Sequence, residues 1–403
     1  MVERYTRRRF LAAGIAAGAT GMSGCASLNL NQTNGQTGTA NGDGTTDDGT
    51  TPPTQTEEYD PSEADYGTVD VRGAIYLPAR AFNFYQQWAN YDHEVIERDL
   101  GYATDVNLNA IRTWACYEYW EEDPEAHGER LDHFLQTADD RDLTVLLSLF
   151  DFAGREPTEK RLHDTDPRTA TGTQSPPTSI MKRESRWDGP REYVRWIMDR
   201  YRDDDRLLAL EVMNEPGWQP HSRKFARGMF RTMADERGSV PLTVGSTSMA
   251  NNADYLDWGS DAFQFHYNFA ENQATYRDML QSNRAVADEL DGLVWLSEWQ
   301  RVRDSTGFAA EPPEDQKGPD YASLAPVIHE AGFGNFFWSL MVQPAFTPAQ
   351  RKHGVINGLF HEDGAVWNLD DAKAIKAMSG DASVNLEQRQ EWPEWASEVA
   401  NGT

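Results

Sequence analysis

The 403-residue chain is poor in cysteine, in positive charge and in long apolar runs, and each shortage excludes something. Its two cysteines, Cys25 and Cys116, stand in such different contexts that no disulfide between them is expected. Lys and Arg number 37 against 65 Asp and Glu, a formal net charge of −28. Nucleic acid and anionic lipid surfaces both need a positive footprint, so neither is expected as a partner. The 9 histidines include no His-x-His, no His-Glu-x-x-His and no paired Cys and His spacing, so metal catalysis is not expected. No Gly-x-Gly-x-x-Gly follows the first candidate strand and no P-loop occurs, which removes the usual nucleotide motifs and leaves no cofactor to expect. The acidic excess is spread along the chain, as on the solvated surface of a salt-adapted protein. Repulsion among such charges is screened only at high ionic strength, so folded structure is expected to weaken in dilute buffer.

The N-terminus has its own composition. Thr6-Arg7-Arg8-Arg9-Phe10-Leu11 precedes a small, apolar stretch from Ala12 to Gly21 and then Met22-Ser23-Gly24-Cys25. A basic start, a short apolar middle and a small-residue end make a secretory signal, too short to span a bilayer. The twin arginines resemble the Tat export signal, and Met22 to Cys25 resembles a lipobox, which implies lipidation at Cys25 and a cell-surface location. Residues 26–67 are mostly Asn, Gly, Thr, Asp and Pro, a composition that cannot offset ordering entropy and reads as a flexible tether. Residues 381–403 form an acidic C-terminal tail carrying Trp392 and Trp395.

Between these ends, over 68–380, strands and helices alternate. Eight strands are expected: Val71 to Leu77, Ala110 to Trp114, Leu143 to Phe150, Leu207 to Met213, Leu242 to Gly245, Ala262 to His266, Leu293 to Ser297 and Asn335 to Leu340. Helices are expected over His93 to Leu100, Arg130 to Asp140, Pro190 to Tyr201, Ser222 to Glu236, Gln273 to Leu290, Tyr321 to Ala331 and Asp371 to Met378. Near-continuous apolar strands alternating with helices predict a parallel sheet, and eight repeats predict a (β/α)8 barrel. The polar stretch Ala153 to Trp187 reads as an elaborated loop over the end of the third strand.

Two of the apolar strands end in glutamate. Leu207 to Met213 runs into Asn214-Glu215-Pro216, and Leu293 to Ser297 runs into Glu298, three strands later. Carboxyl groups facing each other across a barrel mouth suit glycoside hydrolysis, in which one protonates the leaving oxygen and the other attacks carbon or activates water. An arginine inside an apolar strand, Arg112, needs a partner whatever its role.

Glutamates at the ends of strands four and seven resemble the clan A glycoside hydrolases, family 5 in particular, with their cellulases and β-mannanases. The resemblance covers roughly Thr68 to Gly380 and rests on several positions in the correct order. Arg112 matches the arginine of strand two, and Asn214-Glu215 the Asn and acid/base pair of strand four. His266-Tyr267 matches strand six, Glu298 the nucleophile of strand seven, and Trp338 the tryptophan of strand eight. The resemblance implies that Arg112 and Tyr267 hydrogen-bond Glu298, that Asn214 meets a sugar 2-hydroxyl, and that Trp338 stacks on a sugar ring. Trp218 is a second stacking candidate, and His266 orients a catalytic group or touches substrate.

Departures accompany the matches. Family 5 often carries histidine at the end of strand three, where this chain has Asp151, a candidate sugar contact. Trp299-Gln300 follows Glu298 where Phe-Gly is common. Arg112-Thr113-Trp114-Ala115 is closest to the mannanase branch. Cys116 reads as a small buried residue. The reading is a retaining β-glycosidase acting on a neutral polysaccharide or oligosaccharide, β-mannan or β-glucan. A catalytically weak surface sugar-binding protein on the same barrel, a transglycosylase using the same residues, and a metal-dependent barrel hydrolase remain the alternatives.

Overall fold

The computed structural model describes residues 70–400 apart from 218, 269–271, 291, 301–319 and 353. Cys25, the signal, the tether and Trp218 lie outside the described residues.

Eight parallel strands form the core: β1 Arg72–Ile75, β2 Ala110–Trp114, β3 Thr144–Asp151, β4 Leu207–Asn214, β5 Leu242–Thr243, β6 Ala262–Tyr267, β7 Leu293–Gln300 and β8 Gly334–Trp338. Their order, β5-β4-β3-β2-β1-β8-β7-β6, is that of a (β/α)8 barrel. All eight expected strands are present. β1 pairs with β8 through Gly73↔Phe336, and a Cβ on Gly73 would lie 2.2 Å from the Phe336 ring, so glycine there makes room for an aromatic in the barrel interior. β5 is only two residues long, because beyond Thr243 the chain turns to bond β4 alone: Gly245 N–H donates to Met213 O at 3.0 Å. Between β5 and β6 a few bonds replace a strand ladder. Asp261 N–H donates to Leu242 O at 2.9 Å, the Thr243 hydroxyl to Ala262 O at 2.8 Å, and Gln264 Nε2 to Thr243 Oγ1 at 3.1 Å.

The helices match the expected apolar periodicity; those at His93, Gln273 and Tyr321 start as expected, and the other four start two to six residues earlier. The second expected helix begins at Pro124, six residues before Arg130, because Asp123 caps the Ala126 N–H and proline fits the first helical position. Asp92 and Asp320 cap the helices His93–Asp105 and Tyr321–Glu330 in the same way, so part of the acidic excess holds helix ends. After β5 the chain makes short helical turns, Met249–Asn251, Asn252–Tyr255 and Leu256–Trp258, in place of a full helix.

Loops at the carboxyl ends of the strands are tied together. Residues 153–187 fold into short helices over the end of β3, held by reciprocal backbone bonds between Asp151 and Ser175. The buried Arg351 guanidinium donates to Ala170 O at 2.7 Å and Pro167 O at 2.9 Å in that loop, and to Ala345 O at 2.5 Å after β8. It also lies over the Phe82 ring, 4.7 Å from the centroid, in the segment after β1. The described part of the 381–403 tail packs on the barrel: Arg389 pairs with Asp363, and Trp395 meets Phe82 edge-on at 6.2 Å.

Candidate active site

Every described residue expected at the site lies at or near the carboxyl end of a barrel strand: Arg112 on β2, Asp151 on β3, Asn214 on β4 with Glu215 just after it, His266 and Tyr267 on β6, Glu298 on β7, Trp338 on β8. Glu215 adopts φ +46°, an uncommon conformation for a residue with a Cβ, and Gly217 follows at +61°. The chain thus turns sharply at the end of β4, and Glu215 N–H is held by Gly245 O at 3.1 Å.

One oxygen of Glu215, one oxygen of Glu298 and a ring nitrogen of His266 lie within 4.8 Å of one another. His266 Nδ1 is 2.8 Å from Glu215 Oε1 and 3.8 Å from Glu298 Oε2. Glu298 accepts from Arg112 Nη1 at 3.2 Å and, on its other oxygen, from Asn268 Nδ2 at 2.8 Å. Burial pushes the Glu298 carboxyl above its ordinary range; His266 opposes this, Glu215 adds to it, and Arg112 and Asn268 oppose it further.

Arg112 is wholly buried, and all of its N–H groups have acceptors. Nε and Nη2 form a two-pronged pair with Glu211 at 3.1 and 2.8 Å. Nη2 also reaches Asn214 Oδ1 at 2.7 Å, and Nη1 reaches Ser297 O at 3.3 Å besides Glu298. The guanidinium lies 4.4 Å from the Trp114 ring centroid. Glu211 accepts a further bond from the Ser148 hydroxyl at 2.9 Å. Sequence reasoning missed Glu211, Ser148 and Asn268. A signal existed for the first: Glu211 is an acid inside an otherwise apolar strand, as Arg112 is a base inside one, and two such residues need each other.

Asn214 bridges Arg112 and Asp151, whose Oδ1 accepts from Asn214 Nδ2 at 3.0 Å. Burial pushes the Asp151 carboxyl well above its usual range against the bonds from Asn214 and Ala153 N–H, with Glu215 and Glu298 adding to the rise. Tyr267 stacks on Tyr276 at 4.7 Å. Trp338 is half-buried, with its ring meeting Phe346 at 6.1 Å and Trp114 at 6.5 Å, both edge-on. Cys116 is buried with its thiol pushed up, an inert position.

No family model matches the sequence, and no curated protein matches it either. Solved structures match the architecture. The shared feature is the barrel. An exo-β-1,4-mannosidase from Opitutaceae bacterium strain TAV5 is 17% identical with a TM-score of 0.54, the match covering 77% of this chain and 60% of that one. A GH5_18 protein from Streptomyces cattleya in complex with Manβ1-4GlcNAc is 12% identical with a TM-score of 0.57, covering 82% and 88%. A glycoside hydrolase family 5 mannosidase from Rhizomucor miehei in complex with mannosyl-fructose is 13% identical with a TM-score of 0.53, covering 77% and 92%. This chain therefore shares the (β/α)8 fold of these proteins, and it spans under two thirds of the length of the first of them.

Proposed function

We propose that the protein is a retaining β-glycoside hydrolase in which Glu215 is the acid/base and Glu298 the nucleophile. The observation that carries this reading is the approach of the two carboxyl groups, with oxygens inside 4.8 Å. Retaining enzymes hold them about 5 to 5.5 Å apart, while inverting enzymes leave about 6.5 to 9.5 Å for a water. Arg112 and Asn268 hold Glu298 by both oxygens as an anion would be held, and His266 holds Glu215 Oε1. In the first step a Glu298 oxygen bonds to the anomeric carbon as Glu215 protonates the departing oxygen. In the second, water attacks that carbon, gives its proton to Glu215, and releases Glu298.

The substrate we favour is a neutral β-linked polysaccharide or oligosaccharide, β-mannan before β-glucan. Mannosides in two of the matched structures and the Arg112-Thr113-Trp114-Ala115 stretch support that order. Trp338, and Trp218 outside the described residues, are the proposed sugar platforms. We extend the reading to the N-terminus as Tat export, lipidation at Cys25 and a surface tether over 26–67.

The test is to incubate wild type and Glu298→Gln, in molar salt, with mannan, cellulose, laminarin and xylan, following the first-formed anomer by proton NMR. Hydrolysis by wild type alone, with the β-anomer appearing first, is expected. An α-anomer first, or equal hydrolysis by both proteins, sinks the reading.

A further inference from the structure

Asn214 is gripped from both sides, and the chemistry of its neighbours fixes which way its amide points. Arginine only donates, so the atom 2.7 Å from Arg112 Nη2 is the Asn214 oxygen. The Asn214 nitrogen then faces Asp151 Oδ1 at 3.0 Å, which accepts one of its two hydrogens. Asp151 is itself tied down: it is 4% exposed, Oδ1 also accepts Ala153 N–H at 2.7 Å, and its backbone is bonded in both directions to Ser175 at 2.8 and 2.7 Å. The second Asn214 hydrogen is what remains for a substrate hydroxyl. The torsion that turns an asparagine amide is soft and broad, so one contact with Arg112 leaves the plane free to swing.

We propose that Asp151 is a positioning residue that acts through Asn214, pinning the amide plane so that its second N–H stays aligned for the sugar while its oxygen stays on Arg112. The inference rests on the glycosidase reading for the sugar, and on geometry alone for the grip. Burial, with Glu215 and Glu298 adding, pushes the Asp151 carboxyl well above its usual range, and Oδ1 is the atom that accepts from both Asn214 and Ala153. Asparagine at this position keeps the shape and the Oδ1 acceptor; alanine removes the grip.

The experiment is a double-mutant cycle with Asp151→Ala, Asp151→Asn, Asn214→Ala and the Asp151→Ala/Asn214→Ala pair on the best polysaccharide. If Asp151 works through Asn214, Asp151→Ala lowers kcat roughly tenfold or more, with KM within about threefold, and costs under about twofold once Asn214 is gone. Asp151→Asn keeps kcat within about threefold of wild type with the same pH profile. Equal losses from Asp151→Ala in both backgrounds, or Asp151→Asn as poor as Asp151→Ala, overturn the proposal. An activity-free readout accompanies it: the Asn214 side-chain amide signals in a nitrogen-15 spectrum, assigned by their loss in Asn214→Ala. They are expected to move in Asp151→Ala and to hold in Asp151→Asn; signals unmoved in Asp151→Ala overturn the grip. A wild type inactive on every polysaccharide removes the glycosidase reading, while the amide spectra still decide whether Asp151 holds Asn214.

Discussion

Arg112 gives Glu211 two of its hydrogen bonds, at 2.8 and 3.1 Å, and gives Glu298 one, at 3.2 Å. The arginine facing the proposed nucleophile is thus anchored by a second, fully buried glutamate. Removing Glu211 leaves the buried Arg112 cation with the longer Glu298 contact as its remaining carboxylate. Glu211→Ala is expected to cost about 3 to 5 kcal/mol of stability. Glu211→Gln, which keeps an acceptor, is expected to cost less and still to lower kcat by loosening Arg112. Denaturant melts and initial rates on both variants check this; a Glu211→Ala protein as stable as wild type contradicts it.

Gly245 stands behind the same pair. A Cβ there would lie 2.6 Å from Glu211 Oε1 and 3.0 Å from the Asn214 Cα, against a carboxylate that is already fully bonded. Gly245→Ala is expected to destabilise by about 1 to 3 kcal/mol, as overpacked sites do, and to lower kcat more than KM rises. Equilibrium unfolding and steady-state kinetics together measure it. A neutral outcome would mean that the turn after β5 yields to the methyl.

The pH dependence has a definite sign. Attack needs Glu298 ionised, and burial raises its carboxyl above the ordinary 4.5, so the acid limb of kcat/KM is expected above that value. A raised carboxyl also favours the protonated fold: its contribution to stability is present below the ordinary value and is lost as pH rises through the folded one. Glu118, near the end of β2, behaves likewise, pushed up to about 7 by burial, with one oxygen lacking a hydrogen-bond partner. Glu118→Gln is therefore expected to match the wild-type Tm at pH 4.5 and to exceed it at pH 8. Calorimetry at the two pH values decides it; a lower Tm at pH 8 would show that the anion is stabilising.

Salt dependence follows from the net charge of −28. Repulsion among surface acids is screened within about 3 Å at molar salt and reaches about 30 Å at 10 mM. We propose that Tm rises steeply between those conditions, and an unchanged Tm would remove the idea of salt adaptation.

The sequence made the barrel and the meeting of Glu215 with Glu298 legible because both are written in local order: apolar strands of the right length, punctuated by turns, two of them ending in glutamate. Helix starts were less legible where the cap lies ahead of the apolar face, as at Asp123-Pro124. The supporting residues were hardest to see. Asn268 reaches Glu298 from 30 residues away, and Glu211 and Arg112 are 99 apart, so nothing in the sequence shows that the barrel closes them together. Asp151 was visible as a departure at strand three, yet its tie to Asn214 requires the β3 and β4 ends to be neighbours.

The pairing around the barrel bears on how firmly the two carboxyl groups are spaced. Arg112, Asp151, Asn214 and Glu215 ride on β2 to β4, while His266, Asn268 and Glu298 ride on β6, just after it and on β7. On one side the two sets are joined by the regular β1 to β8 ladder; on the other, among the described residues, a few bonds involving Leu242, Thr243, Ser260, Asp261 and Gln264 close the circle. A join with so few backbone bonds is expected to open first, with amide exchange faster at Asp261 and Thr243 than across β1 and β8. Opening on that side is expected to part Glu215 from His266, so under the proposed function activity is expected to fall with any change that loosens it.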